Sequence, residues 1–227
     1  MALMIKMLRK LLPEEISSSA ATSYAAGAAK LYMPQYGLMA REIADVAQGV
    51  LLDIGTGPGI VPLEIGEILP SLQIVGIDVS PAMIAIAQKN VEDSRLTNVT
   101  FRVMNGNALA FADNSLDMVI STDALHHWKR PVMVFDEIYR CLKPGCEAWV
   151  YDGFSGASDN DIATYIHGAG GIFLPYWFLR FNLWIHGFAK KEYDTTVTSL
   201  VAQTRFKTCV FEQRGVMMRL RLHKEGG

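Results

Sequence analysis

Three glycines in a short turn give the strongest chemical signal in the sequence. Gly55, Gly57 and Gly59 follow the apolar run Val50–Ile54, and a helical pattern starts at about Val61. Glycine adopts backbone angles closed to other residues and has no Cβ to obstruct a ligand. A helix N-terminus behind the turn presents unpaired N–H groups to a carboxylate or a phosphate. Such a turn also occurs in dinucleotide-binding enzymes, so a second element is needed to interpret it.

An acidic residue at the end of the next apolar run supplies that second element. Leu72–Ile77 reads as a strand, and it is followed directly by Asp78. A carboxylate at the tip of the neighbouring strand lies beside the glycine turn and can accept hydrogen bonds from both hydroxyls of a ribose. The alternative is that Asp78 caps the helix predicted to begin at Ser80–Pro81. The spacing from the glycines favours the ribose role.

Five segments in order resemble the motifs of one enzyme family, the class I S-adenosylmethionine-dependent methyltransferases. Asp53-Ile54-Gly55-Thr56-Gly57-Pro58-Gly59 resembles the first motif, and Gly76-Ile77-Asp78-Val79-Ser80-Pro81-Ala82-Met83 resembles the second. Asn105-Gly106-Asn107-Ala108 resembles the turn that contacts adenine, where the family often has Asp in place of Asn107. Ser115–Ser121 with Ala124–Trp128, and Glu137–Gly145, resemble the segments of the fourth and fifth strands. The matches span about residues 48–152, in the arrangement of the small-molecule subgroup that includes quinone C-methyltransferases.

The resemblance implies S-adenosyl-L-methionine as the cofactor and S-adenosyl-L-homocysteine as the product. The glycine loop would hold the methionine part, Asp78 the ribose, and Asn107 and Ala108 would border the adenine. Tyr32 is our choice among Tyr24, Tyr32 and Tyr36 of the N-terminal helices, which fold over the cofactor in this family. The cofactor-binding residues that we expect are Asp53, Gly55, Thr56, Gly57, Gly59, Asp78, Val79, Met83, Gly106, Asn107, Ala108, Thr122 and Tyr32.

Two other functions use a similar site. A nicotinamide-dependent dehydrogenase spaces its glycines as Gly-x-Gly-x-x-Gly, whereas the third glycine here comes one residue earlier. Asp53, two residues before the first glycine, is also characteristic of the methyltransferase loop. A non-catalytic protein that binds the cofactor and regulates or scaffolds a partner would need the same residues. The sequence therefore disfavours the dehydrogenase but does not separate an enzyme from a scaffold.

His126 is the candidate catalytic residue. It follows the fourth predicted strand, near where the methyl group should lie, and an imidazole titrates near neutrality. A general base is needed only if the acceptor must lose a proton, and the alternative for His126 and His127 is packing or shaping of the loop. Asp123 and Asp152 are expected at the ends of adjacent strands, where metal-dependent catechol O-methyltransferases place carboxylate ligands. Gly153 stands where their third ligand, an Asn, would follow, so no metal site is predicted.

The elements that must position these residues alternate between β-type and helical runs from Val50 onward, as in a parallel sheet wrapped by helices. We predict an α/β, Rossmann-like fold with a mostly parallel seven-stranded sheet, an antiparallel edge strand and helices on both faces. The chain is expected to form a single methyltransferase domain. Its predicted parts are an N-terminal helical cover (1–46), a cofactor-binding core (47–152), a substrate-side insertion or lid (153–190), and a C-terminal helix and hairpin (191–227).

The predicted insertion is rich in glycine and aromatic residues, among them Tyr165, His167, Tyr176, Trp177 and Trp184. Aromatic residues at helical spacing usually form core. In this position an apolar lid would exclude water and favour a small apolar or aromatic methyl acceptor. The alternatives are a face of a homodimer, or a peripheral contact with a membrane that holds a lipidic substrate.

The composition of the chain disfavours some classes of binding partner. The chain has 227 residues, half of them apolar, and a formal net charge of −2 with no basic run, which disfavours nucleic acid as a partner. Three cysteines form no disulfide framework, as in proteins of a reducing compartment. The apolar stretch Gly171–Phe188 is interrupted by polar and charged residues and falls short of a spanning helix. We therefore expect a cytoplasmic protein that acts on a small molecule.

Overall fold

A computed structural model describes residues 29–168 and 175–226, together with Ala21 and Ser23. Its centre is a seven-stranded sheet in the order β3-β2-β1-β4-β5-β7-β6. The strands are β1 (Val50–Ile54), β2 (Gln73–Asp78), β3 (Val99–Val103), β4 (Leu116–Thr122), β5 (Leu142–Gly153), β6 (Val210–Arg214) and β7 (Met217–His223). Strands β1 to β5 pair in parallel, β7 is antiparallel to β5, and β6 pairs antiparallel with β7 at the edge. The predicted Rossmann-like sheet with an antiparallel edge is confirmed.

Helices surround this sheet in the described part of the chain. They are α1 (Ala29–Ala44), α2 (Ile60–Ile68), α3 (Pro81–Ser94), α4 (Pro131–Cys141), α5 (Asp159–Gly168) and α6 (Tyr176–His186). The last, α7, runs through three pieces: Lys190–Glu192, a π-helical turn Tyr193–Val197, and Thr198–Ala202. A short 3₁₀ turn, Leu125–His127, follows β4. Within the described ranges, no helix has both the length and the apolar character needed to cross a bilayer.

The central strands are buried on both faces, which explains their nearly continuous apolar sequences. Leu51 and Leu52 on β1, and Val119 and Ile120 on β4, have no exposed surface. Parallel strands covered by helices on both sides have no solvent face and so do not alternate polar with apolar residues. The strand order reverses between β1 and β4. In open α/β sheets, ligands bind outside the carboxyl ends of the strands at such a reversal.

The segment after β5 is tied to the end of that strand by a close approach of two glycines. The Phe188 N–H donates to the Gly153 carbonyl at 2.9 Å, and the Ser155 N–H donates to the Phe188 carbonyl at 3.1 Å. A Cβ on Gly187 would lie 2.6 Å from the Leu183 carbonyl oxygen and 2.8 Å from the Gly153 carbonyl carbon. The absence of a side chain at Gly187 therefore lets the end of α6 lie against the end of β5.

Substitution of Gly187 tests this contact. We expect Gly187→Ala to destabilise the fold by about 1–3 kcal/mol, the usual cost of overpacking a tight contact. Each kcal/mol corresponds to a fall of roughly 2–4 °C in Tm for a chain of this size, measurable by thermal unfolding. The control is Gly37→Ala on α1, where the nearest atom to an added Cβ is 3.9 Å away. Equal melting temperatures for the two variants would contradict the proposed crowding.

Candidate active site

A cavity of about 410 Å³ lies at the carboxyl ends of the parallel strands, beside the reversal in strand order. The segments after β1, β2, β3, β4 and β5 contribute its walls, together with α6. Four further residues also line the cavity. They are Tyr36 of α1, Val134 of α4, and Val216 and Met217 at the start of β7. The cavity thus joins residues that are far apart along the chain.

The glycine turn is fixed to the end of β2 by backbone hydrogen bonds. The N–H groups of Gly55 and Thr56 both donate to the Ile77 carbonyl, at 2.8 and 2.9 Å. Gly55 has φ +75°, and a Cβ there would lie 2.6 Å from the Ala124 side chain. Gly57 has φ +53°, and a Cβ there would meet no protein atom within 4 Å. The absence of a side chain at Gly55 therefore permits packing against the segment after β4. Gly57 lines the cavity, and its open side adjoins it.

Asp78 joins the second strand to the glycine turn and lines the cavity. One carboxylate oxygen accepts a hydrogen bond from the Gly57 N–H at 3.0 Å, and the other accepts from the Ser80 N–H at 2.9 Å. The side chain that caps α3 is that of Ser80, whose hydroxyl accepts from the Met83 N–H at 3.4 Å. The carboxylate of Asp78 is thereby held on the cavity wall beside the glycines.

Asp53 lies behind the turn with no exposed surface. Neither of its carboxylate oxygens, nor the Thr56 hydroxyl, has a hydrogen-bond partner in the described part of the chain. Burial raises the pKa of Asp53, the nearby Thr56 lowers it in part, and the negative charge of Asp78 raises it, so that the net value is about 7. Buried polar groups are usually paired, so two such groups beneath one loop point to a polar ligand at this place.

The structure brings most of the predicted cofactor-binding residues to the cavity wall. Those that line it are Gly55, Thr56, Gly57, Asp78, Val79, Met83, Gly106 and Thr122, together with the candidate catalytic residue His126. Asp53, Gly59, Asn107 and Ala108 are not among the lining residues. The side chain of Tyr32 and the whole of Tyr24 lie outside the described residues. One turn beyond Tyr32, Tyr36 is buried and lines the cavity.

Two of the residues that do not line the wall have visible local roles. Gly59 has φ +80°, and a Cβ there would lie 2.4 Å from the ring of Phe101, so this glycine makes room for the ring. Asn107 donates from its amide nitrogen to the Asn105 side-chain oxygen at 2.8 Å. Its own amide oxygen is buried, with no partner in the described chain. That acceptor lies next to Gly106, which does line the cavity.

His126 forms a preorganised pair with Asp152. Its ring Nδ1 lies 2.9 and 3.0 Å from the two Asp152 oxygens, and its backbone N–H donates to the same carboxylate at 2.9 Å. Both side chains are almost fully buried, at 5% and 1% exposure. Asp152 also accepts from the Gly153 N–H at 2.8 Å. A carboxylate at Nδ1 favours the tautomer with the proton on that nitrogen and the lone pair on Nε2.

Asp123 ends β4 in an unusual backbone conformation. Its N–H still donates to the Tyr151 carbonyl at 3.0 Å, but its φ of 52° is left-handed, and the chain then turns into the 3₁₀ turn that carries His126. The Tyr36 hydroxyl donates to one carboxylate oxygen at 3.0 Å. Non-glycine residues with positive φ are uncommon, and such conformations cluster at functional sites.

Sequence analysis did not identify several residues of the cavity wall. Phe178, Asn182 and His186 line it at a spacing of four along α6, so they form one side of that helix. Their spacing of four residues is the sequence signal that indicates one side of a helix. The aromatic residues named from the sequence lie at other positions of this segment. Tyr176 is 42% and Trp177 is 69% exposed, and neither lines the cavity. The predicted contact of this outer side with a membrane or a second copy stays a prediction.

Among the described residues, no group of three or more His, Cys, Asp or Glu side chains is arranged to hold a metal ion. His126, His127 and His186 do lie together, since their ring centroids are 4.2 Å apart for the first pair and 5.3 Å apart for His126 and His186. All three rings line the cavity. The arrangement can orient a small molecule and move a proton.

Comparisons with known proteins identify the central part of the chain. Residues 52–150 match a family model described as a methyltransferase domain. Phosphoethanolamine N-methyltransferase 2 of Caenorhabditis elegans is 28% identical over 167 residues, covering 73% of this chain and 37% of that protein. Demethylmenaquinone methyltransferase of Porphyromonas gingivalis is 32% identical over 114 residues, 49% of this chain and 46% of that protein. The chain therefore spans less than half the length of these two relatives.

The fold also matches a solved structure over almost its whole length. A Methanococcus maripaludis protein, described provisionally as an S-adenosyl-L-methionine-dependent methyltransferase, covers 93% of this chain and 94% of its own, with a TM-score of 0.74 and 21% identity. At this identity the similarity shows the fold alone.

The raised pKa of Asp53 gives a testable dependence of stability on pH. Because this pKa is higher in the folded chain, at about 7, than its ordinary value of 3.8, ionisation favours unfolding and the group's contribution to stability falls between those two values. Asp53→Asn cannot ionise, so we expect its Tm to exceed that of the wild type by several degrees at about pH 8 and by less at about pH 5. The control is Asp117→Asn, which disrupts an ion pair with Lys143 at 2.7 Å. A gain for Asp53→Asn that is equal at both pH values would contradict the raised pKa.

Proposed function

We propose that the chain, whose central part matches a methyltransferase domain, is a class I S-adenosylmethionine-dependent methyltransferase that methylates a small molecule with an apolar or aromatic part. When bound, the family's cofactor supplies an electrophilic methyl group carried on a positively charged sulfur. The observation that carries the proposal is the hydrogen bond from the Gly57 N–H to Asp78 on the cavity wall. It joins the glycine turn to the acidic residue of the second strand, the two features that the sequence predicts to hold the cofactor.

The residues present fit this cofactor. The Thr56 hydroxyl is buried on the cavity wall without a partner in the described chain, and the polar methionine end would supply one, with Asp53 behind it. Asp78 offers acceptors for ribose hydroxyls. Val79, Met83 and Gly106 line the wall beyond it, and the unpaired amide oxygen of Asn107 can accept from the adenine amino group. The roles of Gly59, Ala108, Thr122 and Tyr32 at the cofactor remain part of this proposal.

The acceptor binds, in this proposal, between the cofactor and α6. Methyl transfer from a sulfonium is an in-line displacement, so the protein must hold the acceptor in line and exclude water. Phe178, Leu183 and Met217 give the cavity apolar walls. We assign residues 153–190 to a lid over the core of the same domain, because Gly153, α6 and Gly187 all border the cavity. This wall favours an acceptor with an apolar portion.

His126 serves as the general base for acceptors that lose a proton. Asp152 orients the ring and stabilises the imidazolium once it forms, because the carboxylate contacts Nδ1. The histidine lines the cavity, where it takes the acceptor's proton. Asp152 is a positioning residue, since it acts through the histidine and is not among the lining residues.

Calorimetric titration with S-adenosylhomocysteine tests the cofactor site. We expect binding in the micromolar range and a loss of about tenfold or more in Asp78→Asn, which removes a charged acceptor for the ribose. Asp117→Asn is the control, because Asp117 accepts from the Val50 N–H at the opposite ends of the strands.

Gly57→Ala should also weaken binding of S-adenosylhomocysteine, since its methyl group would project into open space beside the cavity. Its matched control is Gly215→Ala, where φ is 59° and a Cβ also meets nothing within 4 Å. No binding by the folded protein would contradict the proposal, and a signal with NAD instead would favour a dehydrogenase.

Turnover tests the catalytic assignment. With an acceptor that the wild type methylates, we expect His126→Gln to lower kcat by about 10²–10⁴-fold, the usual contribution of a general base, without changing the affinity for S-adenosylhomocysteine. Asp152→Asn should lower kcat less and shift the pH profile, because it changes the preferred tautomer of the ring. His223→Gln, at the far end of β7, is the control. Cofactor binding without release of S-adenosylhomocysteine for any acceptor would favour a scaffold, and unchanged kcat in His126→Gln would exclude it as the base.

A further inference from the structure

We propose that the acceptor region of the cavity contains a subsite for a protonated amine, with the carboxylate of Asp123 as its counter-ion. The inference rests on the proposed function and narrows the substrate class: an ammonium group attached to an apolar remainder. It goes beyond the sequence prediction, which specified only the apolar part. Three observations carry it: the position of Asp123, the balance of charge around the cavity, and the packing of the histidines.

The backbone at Asp123 places its carboxylate on the cavity wall. The left-handed φ of 52° ends β4 at this residue, and Asp123 lines the cavity together with its neighbours Thr122 and Ala124. Among the side chains of the described residues, Tyr36 alone donates a hydrogen bond to this carboxylate, through its hydroxyl. An ionised carboxylate has about four acceptor positions, so one hydrogen bond leaves most of them for a ligand.

In the described part of the chain, the cavity wall has carboxylates but no permanently charged cation to balance them. No lysine or arginine is among the described residues that line it, and Asp78 and Asp123 are both on the wall. Asp152 lies just behind it, held against His126. An anionic acceptor would meet this negative surface without a counter-ion, whereas a cationic group would be attracted to it.

A charged His126 balances one of the two acids of the acceptor region. A proton on His126 compensates Asp152, to which its Nδ1 is bound. The rings of His127 and His186 lie 4.2 and 5.3 Å from that of His126, and like charges this close disfavour a second protonated ring beside a charged His126. An ionised Asp123 is therefore left for a cation that the ligand supplies.

The pKa of Asp123 is consistent with that requirement. Burial and the negative charge of Asp152 raise this pKa, while His126 and the Tyr36 hydroxyl lower it, and the net value is about 7. A bound ammonium would stabilise the ionised form and offset the cost of burying it. The hydroxyl of a neutral acceptor would provide only a hydrogen bond, which is weaker than one between two charged groups.

The cofactor carries two cations that could face Asp123 instead, its sulfonium and the ammonium of its methionine part, and the experiment separates both from a cation on the acceptor. Protein saturated with S-adenosylhomocysteine, whose sulfur is neutral, is titrated with 2-phenylethylammonium and with its isosteric alcohol, 2-phenylethanol. The same titrations are run on Asp123→Asn, on the control Asp117→Asn and on cofactor-free protein. Asparagine tolerates left-handed backbone angles, so Asp123→Asn should retain the fold. The affinities of each protein for S-adenosylmethionine and S-adenosylhomocysteine are measured alongside.

We expect the ammonium to bind the wild type at least about tenfold more tightly than the alcohol, a preference lost in Asp123→Asn and kept in Asp117→Asn. Equal affinity for the two probes, no binding of the ammonium, or a preference that survives in Asp123→Asn would overturn the subsite. If Asp123→Asn keeps the amine preference, a loss of affinity for S-adenosylmethionine alone would assign Asp123 to the sulfonium, and an equal loss for S-adenosylmethionine and S-adenosylhomocysteine would assign it to the cofactor's ammonium. Either result would overturn the subsite. Absence of S-adenosylhomocysteine binding would contradict the proposed function instead, and the titrations of cofactor-free protein would still compare the two probes.

Discussion

The hydrogen bonds between the glycine turn and the end of β2 are the constraint on which the cavity depends. Gly55 and Thr56 share the Ile77 carbonyl, and Gly57 donates to Asp78 one residue further on. These bonds set the direction in which α2 leaves β1 and place Asp78 on the wall. Because Gly55 also packs against Ala124, the same turn sets the distance between β1 and the segment after β4. Cofactor residues and candidate acceptor residues are thus positioned by one loop.

Negative charge is the second feature that the parts of the site share. Asp53, Asp78, Asp123 and Asp152 belong to four adjacent strands, β1, β2, β4 and β5, and all of them lie at or near the strands' carboxyl ends. Parallel strands bring these ends to one edge of the sheet, so the acids converge although they are distant in sequence. Such a site suits a cofactor that carries an ammonium and a sulfonium. The same negative environment extends to the acceptor region, where His126 balances only one of the acids.

The fold followed closely from local patterns. Buried parallel strands read as apolar runs, and turns containing glycine or proline mark their ends, so β1 occupies the predicted apolar run Val50–Ile54. The start of β5 did not follow from the local pattern. Leu142–Pro144 reads as the end of a helix followed by a turn, whereas the parallel pairing of Leu142 with Leu116 on β4 extends the strand back to Leu142. The hairpin at Gly215 was also predictable, since its φ of 59° suits glycine.

The sequence by itself determined the class of fold, the cofactor loop and the acidic residue of the second strand, because these depend on backbone geometry over short stretches. Only the tertiary structure decided the acceptor region. The pairing of His126 with Asp152 joins residues 26 positions apart, and the bond from Tyr36 to Asp123 spans 87. Asn182 and His186 line the cavity from α6, whose end lies against Gly153 at Gly187. Contacts between distant residues leave no periodic trace in the sequence, so their chemistry emerges only when the strands and helices are assembled.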